Sequence, residues 1–129
     1  MSLCHSVLTL SLLAGLSALG AAEAVAEGRI AANDRVAIVN FNGKLEAGVG
    51  IISTARISTG EYEVITDRRI TRCACLVTRG SPKSFITRSG YAVCFQREAS
   101  SGKGFVVRLF NEVGDVEDGE FMLLAACMN

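Results

Sequence analysis

The chain has 129 residues, half of them hydrophobic, with 13 Lys plus Arg against 13 Asp plus Glu and a single histidine. This length is enough for one domain and excludes two, and the balanced charge by itself predicts no partner. Because the only histidine is His5, a domain that follows it has no imidazole for a Ser-His-Asp triad, a metal site or general base catalysis.

The first predicted element is a secretory signal peptide over residues 1–26. Residues 7–22 carry no charge and lead into small residues in the A-x-A arrangement that signal peptidase accepts. Cleavage after Ala26 fits this rule, as does cleavage two or four residues earlier. The apolar run is shorter than the ~20 residues that a membrane-spanning helix needs. We therefore expect a protein secreted to the periplasm or the extracellular space, beginning near Glu27.

Cleavage would leave 103 of the 129 residues, which we divide into a polar lead-in over 27–34 and one domain over 35–129. The domain opens with "RVAIVNFNG", a β-rich run that closes at Asn42-Gly43. The next run, "VGIISTARISTGEYEVIT", alternates apolar and polar residues on both sides of Thr59-Gly60, which is typical of a β-hairpin. The apolar residues that share a face are Val49, Ile51, Ala55 and Ile57 in the first arm, and Tyr62 and Val64 in the second.

Short turn signals divide the rest of the domain into further strands. The runs between them are "RITRCACLVT", "KSFITR", "GYAVCFQRE", "GFVVRLFN" and "EFMLLAAC". The last run favours helix by composition, but it is short and lacks caps. Seven or eight strands without a helix predict a small all-β domain, an antiparallel β-sandwich or barrel stabilised by disulfides.

Loss of the signal peptide removes Cys4 and leaves four cysteines: Cys73, Cys75, Cys94 and Cys127. In an oxidising compartment an even number of thiols predicts disulfides. On one strand the Cα atoms of Cys73 and Cys75 would lie about 6.6 Å apart with parallel Cβ vectors, so each should bridge to another strand. One of the two remaining pairings includes Cys73–Cys127, which would close a loop of about 55 residues and stabilise the fold by roughly 4 kcal/mol.

Other roles for the thiols fit the sequence less well. The C-x-C spacing lacks the wider ligand grouping of zinc sites and the C-x-x-C of redox motifs, and a cysteine hydrolase needs an imidazole. The position of Cys94 is a difficulty for a second bridge, because it alternates with Tyr91, Val93 and Phe95. If those three residues face the core, the second bridge lies on the outer side of a sheet or does not form.

Three further patterns suggest chemistry, and each has a simpler interpretation. Glu61 and Glu63 share a strand face like a glycosidase pair, but they alternate with apolar residues and are expected to face solvent. The oxygen-rich stretch 111–120 departs from the spacing of a helix–loop–helix calcium site, which leaves an acidic turn or an irregular calcium site. Gly102-Lys103-Gly104 precedes a strand and predicts a hairpin turn rather than a phosphate loop. No residue set predicts a cofactor.

Basic residues crowd the middle of the domain. They are most simply solvated positions on strands and loops, but together they form a candidate anion-binding surface. Secretion makes nucleic acid an improbable partner and favours sulfated or phosphorylated glycans or another anionic surface. The candidate residues are Arg68, Arg69, Arg72, Arg79, Lys83 and Arg88.

Three stretches, "STGEYEVITDRRITRCACLVTRG", "SGYAVCFQRE" and "EFMLLAAC", together resemble poorly characterised secreted bacterial and phage β-rich modules that are fibre-like or surface-associated. In these modules a Thr-Gly-x-Tyr-x-Val hairpin precedes a Cys-bearing strand, and a hydrophobic strand with a second Cys ends the module. The resemblance implies a binding or structural role, with a homotrimer as one assembly, and supplies no catalytic residues. It pairs Cys73 with Cys127. Cys75 and Cys94 depart from the pattern together, as an added disulfide would require.

These observations lead to a functional expectation of a secreted, non-catalytic β-rich binding module with a protein or an anionic glycan or surface as its partner. The alternative is a structural or assembly subunit of a trimer or fibre, in which strand edges pair with other copies.

Overall fold

A computed structural model describes residues 33–83, 89–97 and 101–128. The predicted signal peptide, most of the lead-in and Arg88 lie outside the described residues. Within these ranges the chain forms eight strands and no helix. The strands are β1 (Arg35–Val39), β2 (Leu45–Val49), β3 (Ile51–Ser58), β4 (Glu61–Thr66), β5 (Cys73–Arg79), β6 (Tyr91–Gln96), β7 (Gly104–Phe110) and β8 (Phe121–Cys127).

The strands form two four-stranded sheets, and every strand pairing is antiparallel. Sheet A has the order β2-β1-β8-β5, and sheet B has the order β3-β4-β7-β6. The buried residues of both sheets form one core. The predicted all-β architecture, a disulfide-stabilised sandwich with seven or eight strands, is confirmed.

The chain passes from one sheet to the other between β2 and β3 through a single residue, Gly50. Its φ is +69°, which an L side chain rarely adopts. A Cβ at this position would also lie 2.0 Å from the Cδ of Arg35. Glycine therefore allows the abrupt change of direction that joins the two sheets.

The core lies between the sheets, where β4, β7 and β8 contribute its largest side chains. Tyr62 and Val64 on β4 are fully buried, so the predicted inner face of this arm is confirmed. The Tyr62 ring contacts Phe121 with ring centroids 5.2 Å apart. The other fully or almost fully buried apolar residues are Ala37, Val39, Ile70, Phe105, Val107, Leu109, Leu123 and Ala125.

The predicted common face of β3 is wrong. Val49 lies on β2 and is half exposed. On β3 itself Ile51 packs against the core, whereas Ile57 is half exposed and Ala55 is exposed. The pairing of β3 with β4 shifts register twice along the strand. Each irregularity interrupts the alternation of side chains between the two faces, so residues that are two apart in the sequence do not all share one face.

The orientation assumed for β6 in the sequence analysis is reversed in the structure. Tyr91, Val93 and Phe95 are between 40% and 50% exposed, whereas Cys94 packs against the core with Ala92. A strand with apolar residues on both faces does not reveal which face is inward. The difficulty with a bridge from Cys94 is thereby removed.

Two disulfides are present. Cys73–Cys127 joins directly opposed residues of β5 and β8 within sheet A. Cys75–Cys94 joins β5, at the edge of sheet A, to β6, at the edge of sheet B. The first bridge is therefore within a sheet, and the second fastens the two sheets together. Because disulfides persist in oxidising surroundings, the pair indicates a non-reducing compartment.

Candidate functional site

The predicted anion-binding surface is divided between the two ends of the sandwich. Arg68, Arg69 and Arg72 precede β5, and Arg79 and Lys83 lie at its far end or beyond it. A seven-residue strand is roughly 20 Å long. The structure therefore does not bring these residues into one surface, as the sequence analysis had assumed.

Arg79 is an interior residue, and its assignment to an anion-binding surface is wrong. Its side chain is only 4% exposed. The guanidinium donates to the carbonyl oxygens of Ser89 and Phe110 at 3.1 and 2.7 Å and to Oε2 of Glu117 at 2.7 Å. It ties together three segments at one end of the sandwich. The alternation Cys73, Cys75, Val77, Arg79 could have revealed this inward position.

The remaining arginines form a compact group that we call the cationic loop: Arg68, Arg69 and Arg72, between β4 and β5, with Lys103 from the adjacent turn. All four side chains are exposed. The nearby carboxylate of Asp67 is in an ion pair with Arg35. Arg68 donates to Oδ1 of Asn33 at 3.3 Å, which is a neutral partner.

The backbone of the cationic loop is fixed at several points. Ile70 is buried, and its N–H donates to the carbonyl of Gly102 at 2.7 Å. The hydroxyl of Thr66 donates to the carbonyl of Arg68 at 2.7 Å. The N–H of Cys73 donates to the carbonyl of Ile70, and the disulfide to Cys127 follows at once. The loop therefore presents its charges from a constrained backbone.

The acidic stretch 111–120 lies at the opposite end, and two of its carboxylates, those of Glu117 and Asp118, bind groups within the domain. Oδ1 of Asp118 accepts from the N–H of Gly60 at 2.8 Å and from Nε of Arg56 at 2.9 Å. This hydrogen bond from Arg56 is the main reason that the pKa of Asp118 is lowered. Glu117 pairs with Arg79. Among the described residues, no group of three or more His, Cys, Asp or Glu could hold a metal ion.

Tyr62 connects this acidic stretch to the turn between β1 and β2. Its hydroxyl donates to the carbonyl of Phe41 at 2.8 Å and accepts from the N–H of Gly119 at 3.1 Å. Burial raises the pKa of Tyr62, so the phenol stays neutral and keeps its proton for the bond to Phe41. These contacts position loops rather than a substrate.

The outer face of sheet B is charged across its middle. Glu61 and Glu63 lie on this face, where Glu61 pairs with Arg108 and Glu63 with Arg97. Arg108 also lies over the ring of Phe95, 5.1 Å from its centroid. Both carboxylates are thus held by arginines, an arrangement typical of a structural face.

The outer face of sheet A is apolar across all four strands, which the sequence analysis missed. The strand register shows which residues of this face lie side by side, in three rows across the strands. The rows are Val49-Val36-Leu124-Leu76, Ala47-Ile38-Met122-Thr78 and Ala126-Ala74. Not one of these ten residues is charged. Leu76 is 61% exposed and Val49 is 50% exposed. The signal was present in the continuous apolar run "FMLLAAC", since strands with one wet face usually alternate.

The fold and these surfaces define a disulfide-bridged antiparallel β-sandwich with one cationic end and one apolar sheet face. No protein-family model, no curated protein and no solved structure matches the chain. The described part of the chain has no helix that is long and apolar enough to cross a membrane.

Proposed function

We propose that the protein is a secreted, non-catalytic binding module that holds an anionic ligand on the cationic loop, with a sulfated or phosphorylated glycan as the ligand class. The observation that supports this proposal most is the exposure of Arg68, Arg69 and Arg72 on a backbone fixed by Ile70 and by the disulfide at Cys73. Planar guanidinium groups suit sulfate and phosphate because they donate two parallel hydrogen bonds.

Preorganisation is the reason that this loop is a better candidate than other exposed cations. A flexible basic segment loses conformational entropy when it binds, whereas a constrained loop has already lost most of it. The paired state of Asp67 matters too, since a free carboxylate among the arginines would repel the ligand.

The binding of a sulfated glycan such as heparin tests the proposal. We expect the variant Arg69→Ala/Arg72→Ala to bind at least about tenfold more weakly than the wild type, and the difference to shrink as salt screens the charges. Lys83→Ala is the matched control, because Lys83 is 76% exposed but lies at the other end of the sandwich. Equal affinity of the wild type and the double variant would refute the proposal.

A structural or assembly role is the second candidate, and the outer face of sheet A favours it. A contiguous face of ten uncharged residues is a candidate interaction surface, because the largest apolar patch of a protein is often functional. The two roles are compatible, because the cationic loop and this face are different surfaces.

A further inference from the structure

The outer faces of the two sheets differ in their charged residues. Sheet B has an apolar inner face, and its outer face carries the charged residues Glu61, Glu63 and Arg108 among half-exposed apolar side chains such as Val93 and Phe95. Sheet A has apolar residues on both faces. The charged residues begin only at its rim, where Glu46, Arg72 and Glu120 lie. An apolar centre with a charged rim is the usual arrangement of a protein–protein interface.

We propose that a second copy of this chain covers the face, with sheet A packed on sheet A about a two-fold axis. The same patch then serves both copies, as in any isologous dimer. A partner that presents an identical uncharged face leaves no charge to be buried, whereas most other protein surfaces would bring charges that lose their hydration.

The pattern of large and small side chains on the face suits the packing of one sheet on another. The first row has large side chains at Val36, Leu124 and Leu76, and the second has large side chains in its middle and small ones, Ala47 and Thr78, at its ends. Large and small positions can interdigitate when two sheets pack about 10 Å apart. The Ala126-Ala74 pair allows close approach at one side.

The size of the face predicts a reversible dimer. Four strands about 4.8 Å apart and five residues at about 3.3 Å per residue give a footprint of roughly 300 Å². Because side chains make the accessible area larger than the footprint, two copies together would bury on the order of 1,000 Å², near the lower limit for a specific interface. We expect a dissociation constant on the order of 10 μM.

Each copy in such a dimer would carry its own cationic loop, and Arg72 places that loop next to the rim of the face. A ligand with repeated anionic groups could then engage both loops and gain avidity. The dimer itself does not depend on this, since no residue of the cationic loop is among the ten residues of the apolar face.

Sedimentation velocity of the exported, disulfide-bonded protein between about 1 and 100 μM tests the proposal. We expect the wild type to change from monomer to dimer over this range, and Leu76→Lys to raise the dissociation constant at least tenfold. Val93→Lys is the matched control: Val93 is 40% exposed on the outer face of sheet B, so the same change there should leave dimerisation intact. Circular dichroism should show that both variants remain folded.

Several outcomes would overturn the proposal. A wild type that is monomeric at 100 μM excludes this dimer, and a dimer that tolerates Leu76→Lys uses another surface. If the exported protein is monomeric and dimerises only after residues 27–32 are also removed, the natural cover is the chain's own amino-terminal segment. If the monomer instead binds uncharged phosphatidylcholine vesicles and Leu76→Lys abolishes that binding, the cover is a membrane.

Discussion

Arginine has two different roles in this fold, since Arg79 is buried and binds neighbouring segments, whereas Arg69 is exposed on a loop. Arg79 faces inward from β5, and its guanidinium donates hydrogen bonds to three acceptors where three segments meet. Arg69 lies on a loop that has no covering sheet and is exposed. The difference arises from strand alternation, which directs Arg79 to the same side as Cys75 and Val77.

We expect Arg79→Lys to destabilise the domain by roughly 2–3 kcal/mol, because a compact ammonium group cannot span the acceptors that the wider guanidinium reaches and leaves the part-buried Phe110 carbonyl or Glu117 carboxylate without its donor. Urea unfolding measures the change. Arg69→Lys is the matched control and should leave the midpoint unaltered. If both variants unfold at the same urea concentration, Arg79 does not hold the junction together.

Asp118 should make stability depend on acid pH. Its folded-state pKa is lowered below 3.8, chiefly by the hydrogen bond from Arg56, so the ionised carboxylate stabilises the fold above about pH 4. This stabilisation is lost as the pH falls through the lower folded-state value. The ion pair is about one-third exposed, so solvent screening keeps the effect within the range of surface pairs.

The corresponding experiment compares Asp118→Asn with the wild type by urea unfolding at pH 7, 4 and 2. We expect the variant to be less stable than the wild type at pH 7 and the difference between the two to be smaller at pH 2 than at pH 7. Asp115→Asn, on the exposed part of the same stretch, should match the wild type throughout. A constant difference between wild type and Asp118→Asn at all pH values would show that charge plays no part.

One disulfide connects two strands that are paired in the same sheet, and the other connects strands of different sheets. β5 and β8 are already paired over seven residues, so Cys73–Cys127 reinforces a contact that backbone hydrogen bonds maintain. Within the described residues β5 and β6 share no ladder, so Cys75–Cys94 is the covalent tie at that side of the sandwich. Cys73–Cys127 therefore closes the longer loop, whereas Cys75–Cys94 matters more for holding its two strands together.

Replacing both cysteines of a bridge by serine should separate these two effects. The chain-entropy model gives a loss of about 4 kcal/mol for the 54-residue separation of Cys73–Cys127 and about 3 kcal/mol for the 19-residue separation of Cys75–Cys94. Amide exchange in β6 should nevertheless be faster without Cys75–Cys94, because the sheet edges can part. Equal exchange in both double variants would contradict this local role.

The whole molecule combines a small core with two covalent ties, which suits export to an oxidising compartment. We expect exported protein to begin near Glu27 and to contain no free thiol. Intact mass and thiol titration under denaturing conditions measure both properties. Retention of residues 7–22 would disprove the signal peptide, and two free thiols per chain would show that one bridge does not form outside the reducing cytosol.

Much of the architecture could be predicted because it depends on local patterns. Turn residues at Asn42-Gly43 and Thr59-Gly60 mark hairpins through their backbone preferences, and alternation assigned Tyr62 and Val64 to one face. The register shifts of β3 and the reversed face of β6 could not be predicted, because they depend on which side of each strand the other sheet covers.

The sequence by itself determined the all-β class, the approximate number of strands and the supply of four cysteines, since turn propensity, alternation and composition are properties of neighbouring residues. Tertiary structure decided that Arg79 is buried, that the cationic residues are split between two ends and that sheet A has an uncovered apolar face. These features arise from contacts between strands far apart in the chain: β8 lies between β1 and β5 only after folding, and only then do Val36, Leu124 and Leu76 become neighbours.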